Sequence, residues 1–208
     1  MRSIAGARRE ALLSKEFSWG WGNEVLYRMC EEKPWHTDLD VISGKIWLIG
    51  RAYAAAIERG AGTAKKEGKD FHETIAPKIR DSHLDKWLRE VAKIDIVNTE
   101  NLHLVLAVHQ RFTHLLKRLT RRKRRSFASK YLHFHNRNAL FIYDIRAAKK
   151  IRQKVGRHHF VLPQSCAEAD PEYAGFVIRC MKYRDSEAAK NKNTPMTPRE
   201  LDQTLLDY

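Results

Sequence analysis

Apolar side chains recur every three or four positions along most of this chain, the period of amphipathic helices. The clearest run begins at Thr37 or Asp38, where Leu39, Ile42, Ile46, Ile49, Tyr53 and Ile57 form one stripe. It predicts a helix to about Arg59, stopped by Gly60 and Gly62. The polar segment GAGTAKKEGKD then reads as a lysine-bearing loop. A helix from Phe71 should bend or end near Pro77, and Ser82 should open another carrying Leu84, Trp87, Leu88 and Val91.

Asn98 or Thr99 is placed to cap a long helix whose stripe is Leu102, Val105, Leu106, Val108, Phe112, Leu115, Leu116 and Leu119. Shorter helices are predicted over Ser126–His135, Asp144–Lys154 and Asp170–Glu187, the last opened by Asp170-Pro171-Glu172. Thr197-Pro198-Arg199-Glu200 has the threonine and glutamate of a capping box and predicts a final helix to about residue 207. The polar stretch EAAKNKNT before it suggests a loose tether. Only HHFVLP, residues 158–163, suits an extended strand. The pattern predicts an all-α protein, one compact multi-helix domain over residues 1–208 with a loosely attached last helix.

Composition narrows the partner. The chain has 39 Lys and Arg against 25 Asp and Glu, a net charge of +14, and 43% hydrophobic residues. The apolar content suits a folded core, and the charge suits a polyanion, nucleic acid first. No apolar run approaches the roughly 18 residues of a membrane span, and charges interrupt MRSIAGARREALLSKEF too often for a signal peptide. A cytoplasmic protein without membrane contact is expected. Cys30, Cys166 and Cys180 are too few for a four-thiolate iron–sulfur cluster. His133 and His135 are two apart and point to different faces of a helix. With no HExxH or zinc-type Cys–His spacing, no metal or other cofactor is predicted.

Charge is densest at RRKRR, residues Arg121, Arg122, Lys123, Arg124 and Arg125. Five adjacent cations repel each other and are expected to face solvent, as a helix end or as a phosphate-contact patch joined by Ser126 and Lys130. The stretch SFASKYLHFHNRNALFIYD follows, from Ser126 to Asp144, a span of 18 residues.

That stretch resembles the core of the helix-hairpin-helix DNA glycosylases, particularly their adenine-mismatch branch. Those enzymes place an aspartate about 18 residues after a hairpin position, beyond an apolar helix and a short connector. Ala128, Tyr131, Leu132 and Phe134 match the helix and FIYD the connector. The resemblance runs roughly from Leu116 to Lys154, and it implies a DNA N-glycosylase with Asp144 as the catalytic carboxylate acting on a flipped base. The Schiff-base lysine of bifunctional members falls at Arg125 or Ser126, so a monofunctional enzyme is implied, with Lys130 one turn away. The hairpin departs from the family pattern. Where those enzymes have Gly-x-Gly, this chain has RRKRR and no glycine between Gly68 and Gly156. SFASK…IYD is also similar to a motif of bacterial all-helical proteins that carries no known activity.

Other readings stay open. Aspartate is a favoured cap, so Asp144 can simply start the helix IRAAKKIRQK of a binding module for DNA or RNA. Arg152 and His158 resemble the arginine–histidine pair of small helical ribonucleases of the HEPN type. Trp47 and Trp87 lie on apolar faces and are expected in the core, while Lys45 and Arg51 are expected in solvent. Trp19 and Trp21, in FSWGWGN, suit a loop packed on the domain or a base-stacking site.

Overall fold

The computed structural model describes residues 21–57, 71–156, 162–192 and 194–206. Trp19, the GAGTAKKEGKD loop and most of HHFVLP lie outside these residues. Among the described residues the chain is helical and has no strand. The helices are α1 (21–32), α2 (Leu39–Ala52), α3 (Phe71–Arg80), α4 (Leu84–Val91), α5 (Leu102–Thr120), α6 (Arg125–His135), α7 (Ile145–Val155), α8 (Pro171–Asn191) and α9 (Pro198–Leu206). A short 3₁₀ turn, Gln164–Cys166, precedes α8.

Local chemistry explains several starts. Asp38 accepts the amides of Asp40 and Val41 at the head of α2, and Asp170 those of Glu172 and Tyr173 at the head of α8. Thr197 and Glu200 exchange side-chain and backbone hydrogen bonds at α9, completing the capping box. The ends depart further from expectation. Helix α2 stops at Ala52, short of the glycines, with Ala54 in the left-handed region at φ 49°. Helix α3 runs through Pro77. Asn101 stands at the N-cap position of α5 without a side-chain bond to the helix amides, and the Asn98 side chain turns the backbone just before it. Helix α8 continues through EAAKN to Asn191, and α9 buries Leu201 and Leu205 against α7. Helix α1 was not legible in the glycine-flanked tryptophans, and Trp21 stands exposed on it.

Helix α6 lies at the centre, with α2 and α5 packed against it; α7 packs on α8 and α9. Every residue of α6 from Phe127 to Phe134 is buried, including Ser129, Lys130 and His133. The helix is apolar enough all round to sit inside, but its polar groups then need partners. Tyr27 of α1 reaches His133 Nε2 at 2.6 Å, the Leu140 carbonyl lies 2.7 Å from the other ring nitrogen, and Tyr131 meets His36 at 2.8 Å.

Two residues of α2 reverse their expected roles. Lys45 is fully buried, because it lies three residues from Ile42 and four from Ile49 and so within the core stripe. Its ammonium donates to the Lys33 carbonyl at 2.6 Å and sits 3.5 Å from His135 Nε2. Trp47, on the other face, is 50% exposed and has Arg51 above its ring. Trp87 is half-buried and packs against the core.

Candidate functional site

The buried connector Ala139–Tyr143 holds Asp144 in place, and α6 holds the connector. The Tyr143 amide donates to Ser129 Oγ at 2.9 Å, and the Tyr143 carbonyl accepts from Lys130 Nζ at 3.2 Å. Both backbone groups of Tyr143 are thus paired by consecutive side chains of α6. This is the physical use of the Ser-Lys pair inside SFASK: without it, buried backbone groups would stay unpaired at about 1–3 kcal/mol each.

Asp144 follows as the N-cap of α7. Its Oδ1 accepts the Arg146 amide at 2.8 Å, and its Oδ2 lies 3.9 Å from Lys130 Nζ. The carboxylate side chain is 27% exposed and that of Lys130 only 3%. Lys130 also donates to Ser126 Oγ at 2.7 Å, and its ammonium faces the Tyr53 ring at 5.7 Å. Burial lowers the lysine's pKa, an effect that the charges of Asp144 and Asp202 oppose and Arg146 reinforces. The arrangement is a part-open carboxylate backed by a walled-in amine.

The structure splits the RRKRR run. Arg121, Arg122 and Lys123 are exposed. Arg124 instead donates to the Ile57 carbonyl at 3.0 Å. Arg125 binds Asp170 through two nitrogens, at 2.8 and 2.9 Å, and Glu172 at 2.7 Å. Burial alone would raise the Asp170 pKa, but the Arg125 hydrogen bond, the Tyr173 amide and the guanidinium charge outweigh it and hold the carboxyl below its usual value. The expectation of five solvent-facing cations is therefore corrected: two of them are struts between distant segments. Lys130 is likewise corrected from backbone contact to interior residue. Ser126, half-buried, accepts from Lys130 Nζ through its hydroxyl oxygen.

Arg121 ends α5 in the left-handed conformation, φ 61°, where a glycine would ordinarily sit. It joins His114, Lys117 and Arg118 around a concavity of about 440 Å³. These residues are spaced as one face of α5, so the clustering was open to a reading of helical period that the run of five obscured.

A second polar cluster lies inside. His36 Nδ1 is 2.5 Å from Asp85 and His36 Nε2 2.8 Å from Tyr131, with His135 and Lys45 beside them. Burial lowers the pKa of both histidines. His133 and His135 face different partners, Tyr27 and Lys45. Among the described residues no group of histidines, cysteines and carboxylates is arranged to hold a metal ion, and the three cysteines are free and buried. No helix among them is long and apolar enough to cross a membrane. Helix α7, which carries Arg152, ends at Val155 with Gly156 at φ 75°, and His158 lies outside the described residues.

No protein-family model, curated protein or solved structure matches this chain.

Proposed function

We propose that this protein binds DNA and excises a base from it, as a monofunctional N-glycosylase of the helix-hairpin-helix kind. The Asp144 carboxylate carries the reading. It is part-exposed at the mouth of α7, with one oxygen on a backbone amide and the other toward the buried Lys130 ammonium. A glycosidic bond breaks as positive charge grows on the sugar, and a fixed carboxylate stabilises that charge once the base has left the stack. Lys130 is enclosed by Ser126, Tyr143 and Asp144, so it positions the carboxylate and does not reach the sugar. Water then completes the reaction and leaves an abasic site on an intact strand. Arg121, Arg122 and Lys123, with Lys117 and Arg118, hold the backbone.

The test is base release from duplexes carrying uracil, 8-oxoguanine mispairs or alkylated purines, with and without hot alkali. Wild type should release a base and nick the strand only after alkali. Asp144→Asn should lose release while keeping fold and binding. Tight binding with no release from any duplex would refute the enzyme reading. It would favour a binding module in which Asp144 is only the α7 cap, a role its 2.8 Å bond to the Arg146 amide already fits.

A further inference from the structure

Helix α7 starts at Asp144 and turns Ala147, Ala148 and Ile151 inward. Its solvent face carries Arg146, Lys149, Arg152 and Lys154, and the sequence IRAAKKIRQKV contains no acid. Among the described residues none of Lys149, Arg152 and Lys154 pairs with a carboxylate. Like charges three and four residues apart each destabilise a helix by a few tenths of a kcal/mol, about 0.2–0.5. Arg146 adds to this by placing a cation at the positive end of the helix dipole. Arg152 also presses on Arg179 of α8, whose pKa is lowered first by burial and then by that charge. A surface serving solubility alone mixes its signs. This one accumulates a single sign along one helix.

The second observation is apolar. Ile145, the first residue of α7, is 78% exposed immediately beside Asp144. With a rise of about 1.5 Å per residue, Lys149 and Arg152 lie roughly 6 and 10 Å further along the axis. An apolar side chain at one end of a cationic stripe matches the two faces of a nucleic acid, bases and phosphates.

We propose that the solvent face of α7 is a nucleic-acid contact surface, with Lys149 and Arg152 on backbone phosphates and Ile145 seated in the base stack beside Asp144. The proposal rests on the nucleic-acid reading above and names how the strand lies at that site. It does not depend on Asp144 being a catalyst.

Fluorescence anisotropy with a short DNA duplex across a salt titration tests it. The double variant Lys149→Ala/Arg152→Ala should lower the slope of log K on log salt by about one per residue. At 0.1 M salt it should bind about sixtyfold more weakly, from 0.9 log unit per lost contact. Ile145→Ala should weaken binding severalfold with the slope unchanged, and should abolish the fluorescence rise of a 2-aminopurine placed in the stack. Ile145→Leu should restore both. These side chains are exposed and the double variant relieves like-charge repulsion, so melting curves should lie at or slightly above wild type. An unchanged slope in the double variant overturns the proposal, as does failure of the wild-type protein to bind the duplex. Binding to anionic vesicles in place of DNA overturns it as well. Loss of slope in a protein that releases no base keeps the proposal and refutes the glycosylase, whereas base release with an unchanged slope does the reverse.

Discussion

Asp170→Ala removes a side chain that is fully enclosed and makes four hydrogen bonds, two to Arg125 and two to the first amides of α8. Removing one partner of a buried ion pair costs about 3–5 kcal/mol, because the remaining charge stays without its counter-ion. Arg125 is 20% exposed and keeps Glu172 at 2.7 Å, so the low end applies. Loss of the cap adds about 1 kcal/mol. The expected destabilisation is about 4 kcal/mol, a fall in Tm of roughly 8–16 °C for a chain of this size. Asp170→Asn keeps the cap and loses the charge, and should cost about half as much. The triple variant Arg121→Ala/Arg122→Ala/Lys123→Ala removes three cations from the same run and should change stability by no more than about 0.5 kcal/mol. Urea denaturation followed by circular dichroism measures all three, and a double-mutant cycle with Arg125→Ala isolates the pair. If Asp170→Ala stays within about 1 kcal/mol of wild type, or if the triple variant costs as much, the division of RRKRR into struts and surface is wrong.

Two further outcomes follow from burial. His109 and His133 are held to a pKa of about 3 by burial, so the folded protein leaves both unprotonated at pH 5. The unfolded chain, with imidazoles near about 6.5, protonates both. Their contribution is therefore whole above about pH 6.5 and is lost as pH falls toward 3, at about 2.7 kcal/mol per pH unit once both titrate in the unfolded state. A denaturation free energy that stays flat from pH 7 to pH 4.5 would contradict this. Lys45→Met replaces a fully buried ammonium with an apolar side chain of similar length. It should leave stability within about 1 kcal/mol of wild type or raise it. A loss above about 2 kcal/mol, read as a shift in the urea midpoint, would mean that the bond to the Lys33 carbonyl outweighs the desolvation of the charge.

Helical period and cap residues placed the starts of α2, α5, α7, α8 and α9 to within a few residues, because a core stripe and a cap are both local in sequence. Helix ends were less legible: Arg121 and Ala54 take left-handed conformations that nothing in their side chains requires. The candidate site was partly legible. Asp144 announced itself as a residue at a helix mouth, and it is one. The Ser129–Tyr143–Lys130 bonds that fix its approach were not, since a serine and a lysine on a helix ordinarily face water.

The sequence by itself determined that the chain is helical, that it carries a large positive charge, and that an aspartate begins the helix after FIYD. Only the tertiary structure decided which charges are spent inside. Arg125 and Arg184 sit half-buried and buried because Asp170 and the Val97 carbonyl, 45 and 87 residues away, arrive to receive them. Arg121 to Lys123 meet no such partner among the described residues and remain at the surface. A charge can leave water only where another segment replaces its hydration. That replacement depends on how the helices pack and not on the local run of residues.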